Sequence, residues 1–183
     1  NHTAVTVKRL HKDPPIGGKV DLLINECENI GRLRHPNLLL LMGVCQTNNL
    51  ESLVLLYERV GCGSLFTYLY QKNESVEIVN VCDIVRQLCE AVIFLHNQRL
   101  LHTSISSHAV QLVSPTLAKL TNFDYMVPIS SDGYNVYSRA RDNQYTNAVY
   151  NWMAPEVMAG EPPQQKSDLY SVCCILWELL ECM

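Results

Sequence analysis

Two groups of polar residues in this 183-residue chain have types and spacings that bear on chemistry. The first is Lys8 with Glu26, a cation and a carboxylate. The second is the run His102-Thr103-Ser104-Ile105-Ser106-Ser107-His108-Ala109, with Asn122-Phe123-Asp124 beginning thirteen residues after Ala109. A carboxylate base takes a proton readily, whereas the Ser104 hydroxyl does not ionise near neutral pH and cannot do so. A hard cation is held by charged oxygens, and here Asn122 offers a neutral amide and Ala109 no ligand atom at all. Asp124 is a carboxylate two residues beyond Asn122, a step that moves it several ångströms along the chain. Lys8 and Glu26 keep the means to position a charge, while the second group lacks the means to transfer one.

These residues need elements to place them. Residues 3–10 alternate around Val5 and Val7 and predict a strand. Beyond a turn region at 13–18, residues 20–33 predict a helix with Leu23, Ile30 and Leu33 toward a core, and Pro36 punctuates it. Residues 38–42 and 53–57 are apolar runs of strand length around a Gln46-Thr47-Asn48-Asn49 turn, and Gly61 and Gly63 mark the end of the strand region. Ile84, Leu88, Val92 and Leu95 repeat at helical spacing and predict a long helix over 79–97. Two short strands follow at 110–113 and 118–120. Residues 130–151 read as a long loop, and 165–181 as a helix. Strands with one helix, then mostly helices, predict an α+β fold of two unequal lobes joined near residues 58–63.

At 48% hydrophobic residues the chain can bury a sizeable core. A net charge of −4 gives no electrostatic reason for nucleic acid or an anionic membrane as partner. No apolar run reaches membrane-spanning length, and the N-terminus does not read as a signal peptide. The eight cysteines form no C-x-x-C pair, so buried thiols of a cytoplasmic protein are the expectation. Asn1-His2-Thr3 and Asn73-Glu74-Ser75 match a glycosylation sequon that means little outside a secretory context.

Several motifs stand in one order over essentially the whole chain and together resemble the protein kinase domain. Val5-Thr6-Val7-Lys8 is similar to the strand whose Lys reaches the nucleotide phosphates. Glu26 stands nine residues before His35 in His35-Pro36-Asn37, as on the helix that pairs with that Lys. Leu101-His102 opens the catalytic-loop position and Asn122-Phe123-Asp124 the D-F-G position. Trp152-Met153-Ala154-Pro155-Glu156 contains an intact A-P-E, and Ser167-Asp168-Leu169-Tyr170-Ser171 with Trp177-Glu178-Leu179 resembles the central helix of the large lobe. The W-M-A-P-E wording is that of the tyrosine-kinase-like branch. The resemblance implies a two-lobed kinase-like fold with a partial N-lobe over 1–60 and a partial C-lobe over 61–183. It also implies a chain that opens inside the third strand, without the Gly-rich loop, and that stops before the later helices.

Laid on that pattern, the chemistry is degenerate. The base Asp is Ser104, the Lys beside it Ser106, and the metal ligands Ala109 and Asn122. Loss of the base alone removes about 3–5 kcal/mol of barrier lowering. The resemblance therefore implies a pseudokinase with no metal site, and Asp124 as a displaced ligand is the weaker alternative. Lys8, Glu26, Tyr57, Glu58, Val60 and Gln111 fall at positions of a vestigial nucleotide pocket. Tyr57 narrows its back, Glu58 and Val60 offer hinge backbone groups, and Thr6 and Gln111 replace the apolar faces that sandwich adenine. No cofactor is expected, beyond weak metal-independent ATP binding by a longer protein. Ile30, Leu41, His102 and Phe123 occupy the hydrophobic spine, with Asp168 as its anchor. Tyr134, Tyr137, Tyr145, Tyr150, Ser130, Ser131 and Ser138 lie in the activation segment. They read as a plain surface loop or as phosphorylation sites whose reader Arg is Thr103.

The runs 102–110 and 120–126 are further similar to a testis-expressed group of inactive kinases. That likeness implies a cytoplasmic protein-interaction scaffold at germ-cell intercellular bridges and in cell division. Residual Ser/Thr kinase activity through Lys8 and Asp124, or a nucleotide-gated switch, are the alternatives.

Overall fold

The computed structural model describes residues 4–9, 19–45, 53–72, 74–129 and 149–182, with backbone alone for 19–21. Strand β1 (Val5–Arg9) pairs antiparallel with β3 (Val54–Glu58), which also pairs with β2 (Leu41–Cys45), giving the order β1-β3-β2. The register sets Thr6 opposite Tyr57 and Lys8 opposite Leu55. The alternation of β1 is inverted relative to hydropathy: Val5 and Val7 are exposed, while Thr6 and Lys8 are half-buried. Lys8 must face inward to reach a buried carboxylate, and the period of two then sends both valines outward.

Helix α1 (Lys19–Ile30) packs beside this sheet and buries Leu23, Glu26 and Ile30 along one stripe. It stops at Ile30, short of the expected 33. The Gly31 amide still bonds the Cys27 carbonyl at 2.9 Å, and Arg34 then takes the Ile30 and Leu33 carbonyls at 3.2 and 2.7 Å. These carbonyls thus find side-chain partners in place of further helix. Next, the Leu38 amide closes a turn onto the His35 carbonyl at 3.1 Å. That turn delays β2 to residue 41, against the expected 38–42.

The remaining elements form a mainly helical layer. A short sheet has the order β4-β6-β7, from Gly63–Ser64, Val110–Ser114 and Leu117–Leu120. Gly63 therefore belongs to a strand and does not merely close the strand region. Leu100–Leu101 (β5) pairs with Val127–Pro128 (β8), and a π-helical turn spans Thr67–Gln71. Long helix α2 (Ile78–Asn97) buries Ile84, Leu88, Val92 and Leu95, as its period predicts. Two 3-10 turns, Phe123–Tyr125 and Tyr150–Trp152, and the short helix α3 (Pro155–Met158) precede α4 (Gln165–Glu181). Gln164 and Ser167 close a reciprocal capping box at the start of α4. The Leu39 amide bonds the Leu120 carbonyl at 2.9 Å and the Leu120 amide the Asn37 carbonyl at 2.8 Å. One hydrophobic core runs across this seam, from Leu23 to Leu179.

The expectation of buried thiols is corrected. Cys45, Cys82 and Cys173 are exposed and the other five cysteines half-buried, all of them free. Cys82 and Cys173 stand one place along α2 and α4 from Val81 and Val172, which take the core-facing positions. Most of the 130–151 segment, with Tyr134, Tyr137 and Tyr145, lies outside the described residues. No described helix is long and apolar enough to cross a membrane.

Replacing Leu95 (0% exposed) with Ala should cost about 2–5 kcal/mol in urea unfolding, whereas Ile93→Ala (57% exposed) on the same helix should cost well under 1.

Candidate functional site

The site is built around a carboxylate with no exposure to solvent. Glu26 Oε2 pairs with Lys8 Nζ at 2.5 Å, and Glu26 Oε1 accepts a 2.7 Å hydrogen bond from the Tyr57 hydroxyl. Three elements, β1, α1 and β3, therefore meet on one side chain. Lys8 Nζ also donates to Asn122 Oδ1 at 3.2 Å, which ties in the turn after β7. Burial, and then the Glu26 charge, push the Tyr57 phenol far above its ordinary range, so it stays protonated and donates to Glu26. Its place in the motif order assigns Tyr57 to the narrowing of a pocket; the hydrogen bond to Glu26 spans 31 positions and has no local signature in the sequence.

The 102–109 run is locked from below by Asp168, itself buried on α4. Asp168 Oδ2 accepts the His102 amide at 2.9 Å and lies 3.0 Å from His96 Nε2, while Oδ1 accepts the Thr103 amide at 2.9 Å. Those bonds hold Thr103 at φ 65°, a left-handed conformation that β-branched residues rarely adopt. The His102 ring is fully buried, and burial lowers its pKa although Asp168 opposes the shift. Its Nε2 lies 2.9 Å from the Thr121 carbonyl, which requires the proton on Nε2, so Nδ1 is the acceptor facing the Ser104 amide at 3.3 Å. His102 and Phe123 meet edge-on at 5.5 Å, and Ile30 and Leu41 are buried in the same core.

Thr103 and Ser104 serve as ties between segments. Ser104 Oγ donates to the Asn122 carbonyl at 3.1 Å, and Thr103 Oγ1 to the Tyr125 carbonyl at 2.8 Å. Asn29 on α1 adds a 2.8 Å bond to the Phe123 carbonyl. Asn122 sits at φ 63°, ψ 59°, which Asn tolerates better than most residues. Ser106 and Ala109 are buried and close a turn, Ala109 amide to Ser106 carbonyl at 2.9 Å. Asp124 has one buried carboxylate oxygen, Oδ1, with no hydrogen-bond partner. Burial raises its pKa, with Lys8 opposing.

Glu58, Val60 and Gln111 are turned to internal partners. Glu58 Oε1 accepts the Leu40 amide at 2.8 Å and Lys119 Nζ at 2.7 Å. The Val60 amide donates to Thr6 Oγ1 at 2.9 Å, and Gln111 Nε2 to the His108 carbonyl at 3.3 Å. The structure thus brings Lys8, Glu26, Tyr57 and Asn122 together in one network. Gln111 stands apart from that network, paired with Ser64 on β4.

The pattern that defines the family described as protein tyrosine and serine/threonine kinase matches residues 1–183. The chain belongs to that family. Among similar proteins, the mouse inactive serine/threonine-protein kinase TEX14 is 37% identical over 187 residues, covering 98% of this chain and 13% of that protein. Its bovine counterpart is 39% identical over 187 residues, covering 98% of this chain and 12% of that protein. The mouse tyrosine-protein kinase ZAP-70 is 26% identical over 158 residues, or 86% of this chain and 24% of that protein. This kinase-family chain therefore spans 12–13% of the length of the TEX14 relatives, which carry the name of inactive kinases.

Two outcomes follow from the network. Tyr57→Phe leaves a buried carboxylate oxygen without its donor and should lower stability by about 1–3 kcal/mol in urea unfolding. Asp124→Asn should stabilise the protein at pH 7. A carboxyl whose folded pKa is raised favours folding below its unfolded value near 3.8 and loses that contribution as pH rises through the folded value. The gain of Asp124→Asn over wild type should therefore grow from about pH 4 upward and then level off, read from urea midpoints across that range.

Proposed function

We propose that this chain is a catalytically inactive kinase-like domain that serves as a protein-interaction scaffold. The observation that carries the reading is the contrast within two short runs. Ser104, Ser106, Ala109 and Asn122 stand where the family pattern has its base, its phosphate-contacting Lys and its metal ligands. His102 and Phe123, from the same runs, keep their buried packing. Phosphoryl transfer is chiefly positioning and charge stabilisation. On this reading the positioning framework persists, while the groups that would carry charge at the reacting centre are absent. Ser104 instead donates to the Asn122 carbonyl and Asn122 accepts from Lys8, which favours a held shape as the product of selection. The TEX14 relatives, named as inactive kinases, support the same reading.

At finer grain, the likeness of the runs 102–110 and 120–126 supports a cytoplasmic role at germ-cell intercellular bridges and in cell division. Partners are then other proteins, and neither a metal nor a nucleotide is required.

Phosphate transfer from labelled ATP to generic protein substrates, measured on the intact protein beside Lys8→Met, tests this. Both should give the same background. Transfer by the wild type that Lys8→Met abolishes would overturn the proposal.

A further inference from the structure

A cavity of about 380 Å³ lies away from the Glu26 network, and four of its walls are aromatic. Phe66 and Tyr70 stand four residues apart at the π-helical turn, with ring centroids 4.9 Å apart. Trp152 comes from the second 3-10 turn and Trp177 from α4. Glu178, next to Trp177 and only 8% exposed, is the buried polar side chain of the lining. Its Oε2 accepts the Trp152 indole N–H at 2.9 Å, whereas Oε1 is sealed from solvent and has no hydrogen-bond partner. The Tyr70 phenol stands beside the same carboxylate, and burial, then the Glu178 charge, raise its pKa. No internal cation answers that charge: among the described residues, neither Glu178 nor Glu181 at the rim forms an ion pair. His108 stacks on Phe66 at 4.0 Å and meets Trp152 edge-on at 5.8 Å. Burial lowers its pKa against the pull of Glu178, so it is neutral at pH 7. The cavity also takes in the last turn of α4, whose carbonyl end favours positive charge and which holds no basic residue.

We propose that this cavity binds an N-methylated lysine of a partner protein, with the dimethylated form preferred. Aromatic faces attract a cation, and N-methyl groups let that cation lie against the rings without losing water-bonded hydrogens. The count of donors sets the degree of methylation. Within the walls Glu178 Oε1 is the vacant acceptor, while Tyr70 and Glu181 are exposed at the mouth. An unmodified ammonium brings three N–H groups and a guanidinium five, so most of them would face rings and stay unpaired. A dimethylammonium brings one, which matches Oε1. A trimethylammonium brings none and leaves Oε1 as it is. Tyr70 is 51% exposed, so its side chain can turn aside and admit the headgroup to Glu178.

That the cation arrives on a protein rests on the scaffold reading, which phosphate transfer tests; failure of the peptide measurement below removes this site alone. The test is titration of the intact protein with a short Gly-flanked lysine peptide in unmodified, dimethylated and trimethylated forms. Binding is followed at the indole N–H signals of Trp152 and Trp177, the two tryptophans of the chain. The dimethyl-lysine peptide should move both signals and bind at least about tenfold tighter than the unmodified one, with trimethyl-lysine between them. Glu178→Gln keeps an oxygen for the Trp152 indole and loses the charge. It should weaken dimethyl-lysine binding about tenfold and erase its lead over trimethyl-lysine. Tyr70→Ala, at an exposed wall, should weaken both methylated peptides about threefold and leave the urea midpoint unchanged. Unmoved indole signals at millimolar dimethyl-lysine peptide would overturn the proposal. Equal or tighter binding of the unmodified peptide, or of an arginine peptide, would do the same. Free choline binding more tightly than the dimethyl-lysine peptide would give the site to a small metabolite and overturn it too. Should Glu178→Gln not fold, the peptide series on wild type and Tyr70→Ala decides.

Discussion

A carboxylate sealed from water dictates much of what surrounds it. Glu26 is held by an ammonium on one strand and a phenol on another, with its own helix supplying the backbone. Taking such a charge out of water costs several kcal/mol, and only well-placed partners offset it. Lys8 must therefore face inward on β1, which turns Val5 and Val7 outward, and α1 must lie close enough for Leu23 and Ile30 to enter the core. Because Lys8 also reaches Asn122, the turn after β7 is fixed by the same charge. Electrostatics, rather than hydropathy, sets the orientation of the first strand.

Asp168 plays the corresponding part for the helical layer. One buried side chain accepts two consecutive amides and faces the His96 ring, and so it can hold Thr103 in a conformation that local sterics disfavour by roughly 1–2 kcal/mol. The turn it supports presents Thr103 and Ser104 to the carbonyls of Tyr125 and Asn122. The two layers then share a set of short polar ties alongside their hydrophobic contact, and those ties specify one arrangement where packing alone would tolerate several.

Legibility in the sequence follows the range of the interaction responsible. Helix α2 is plain because Ile84, Leu88, Val92 and Leu95 repeat within one element. The kinase-like arrangement is plain because its motifs keep their order and spacing. The end of α1 is not, since it depends on Arg34 turning back to carbonyls that the helical period would otherwise use. Strands β4, β5 and β8 are two residues long, below the length at which alternation exists to be read. The positions of Lys8, Glu26, Tyr57 and Asn122 could be named from their motifs, but the Tyr57 hydroxyl on Glu26 and the Thr6 hydroxyl on Val60 could not. Both join residues far apart in sequence through side chains whose direction only the register of β1 on β3 decides.

The tie between Tyr57, Glu26, Lys8 and Asn122 is made wholly of the chain's own atoms. A conformational equilibrium moves only when something binds its states unequally, and here the groups that an outside molecule would bind are already engaged with one another. An outside group that engaged Lys8 or Glu26 would therefore compete with one ion pair and two hydrogen bonds already built into the fold.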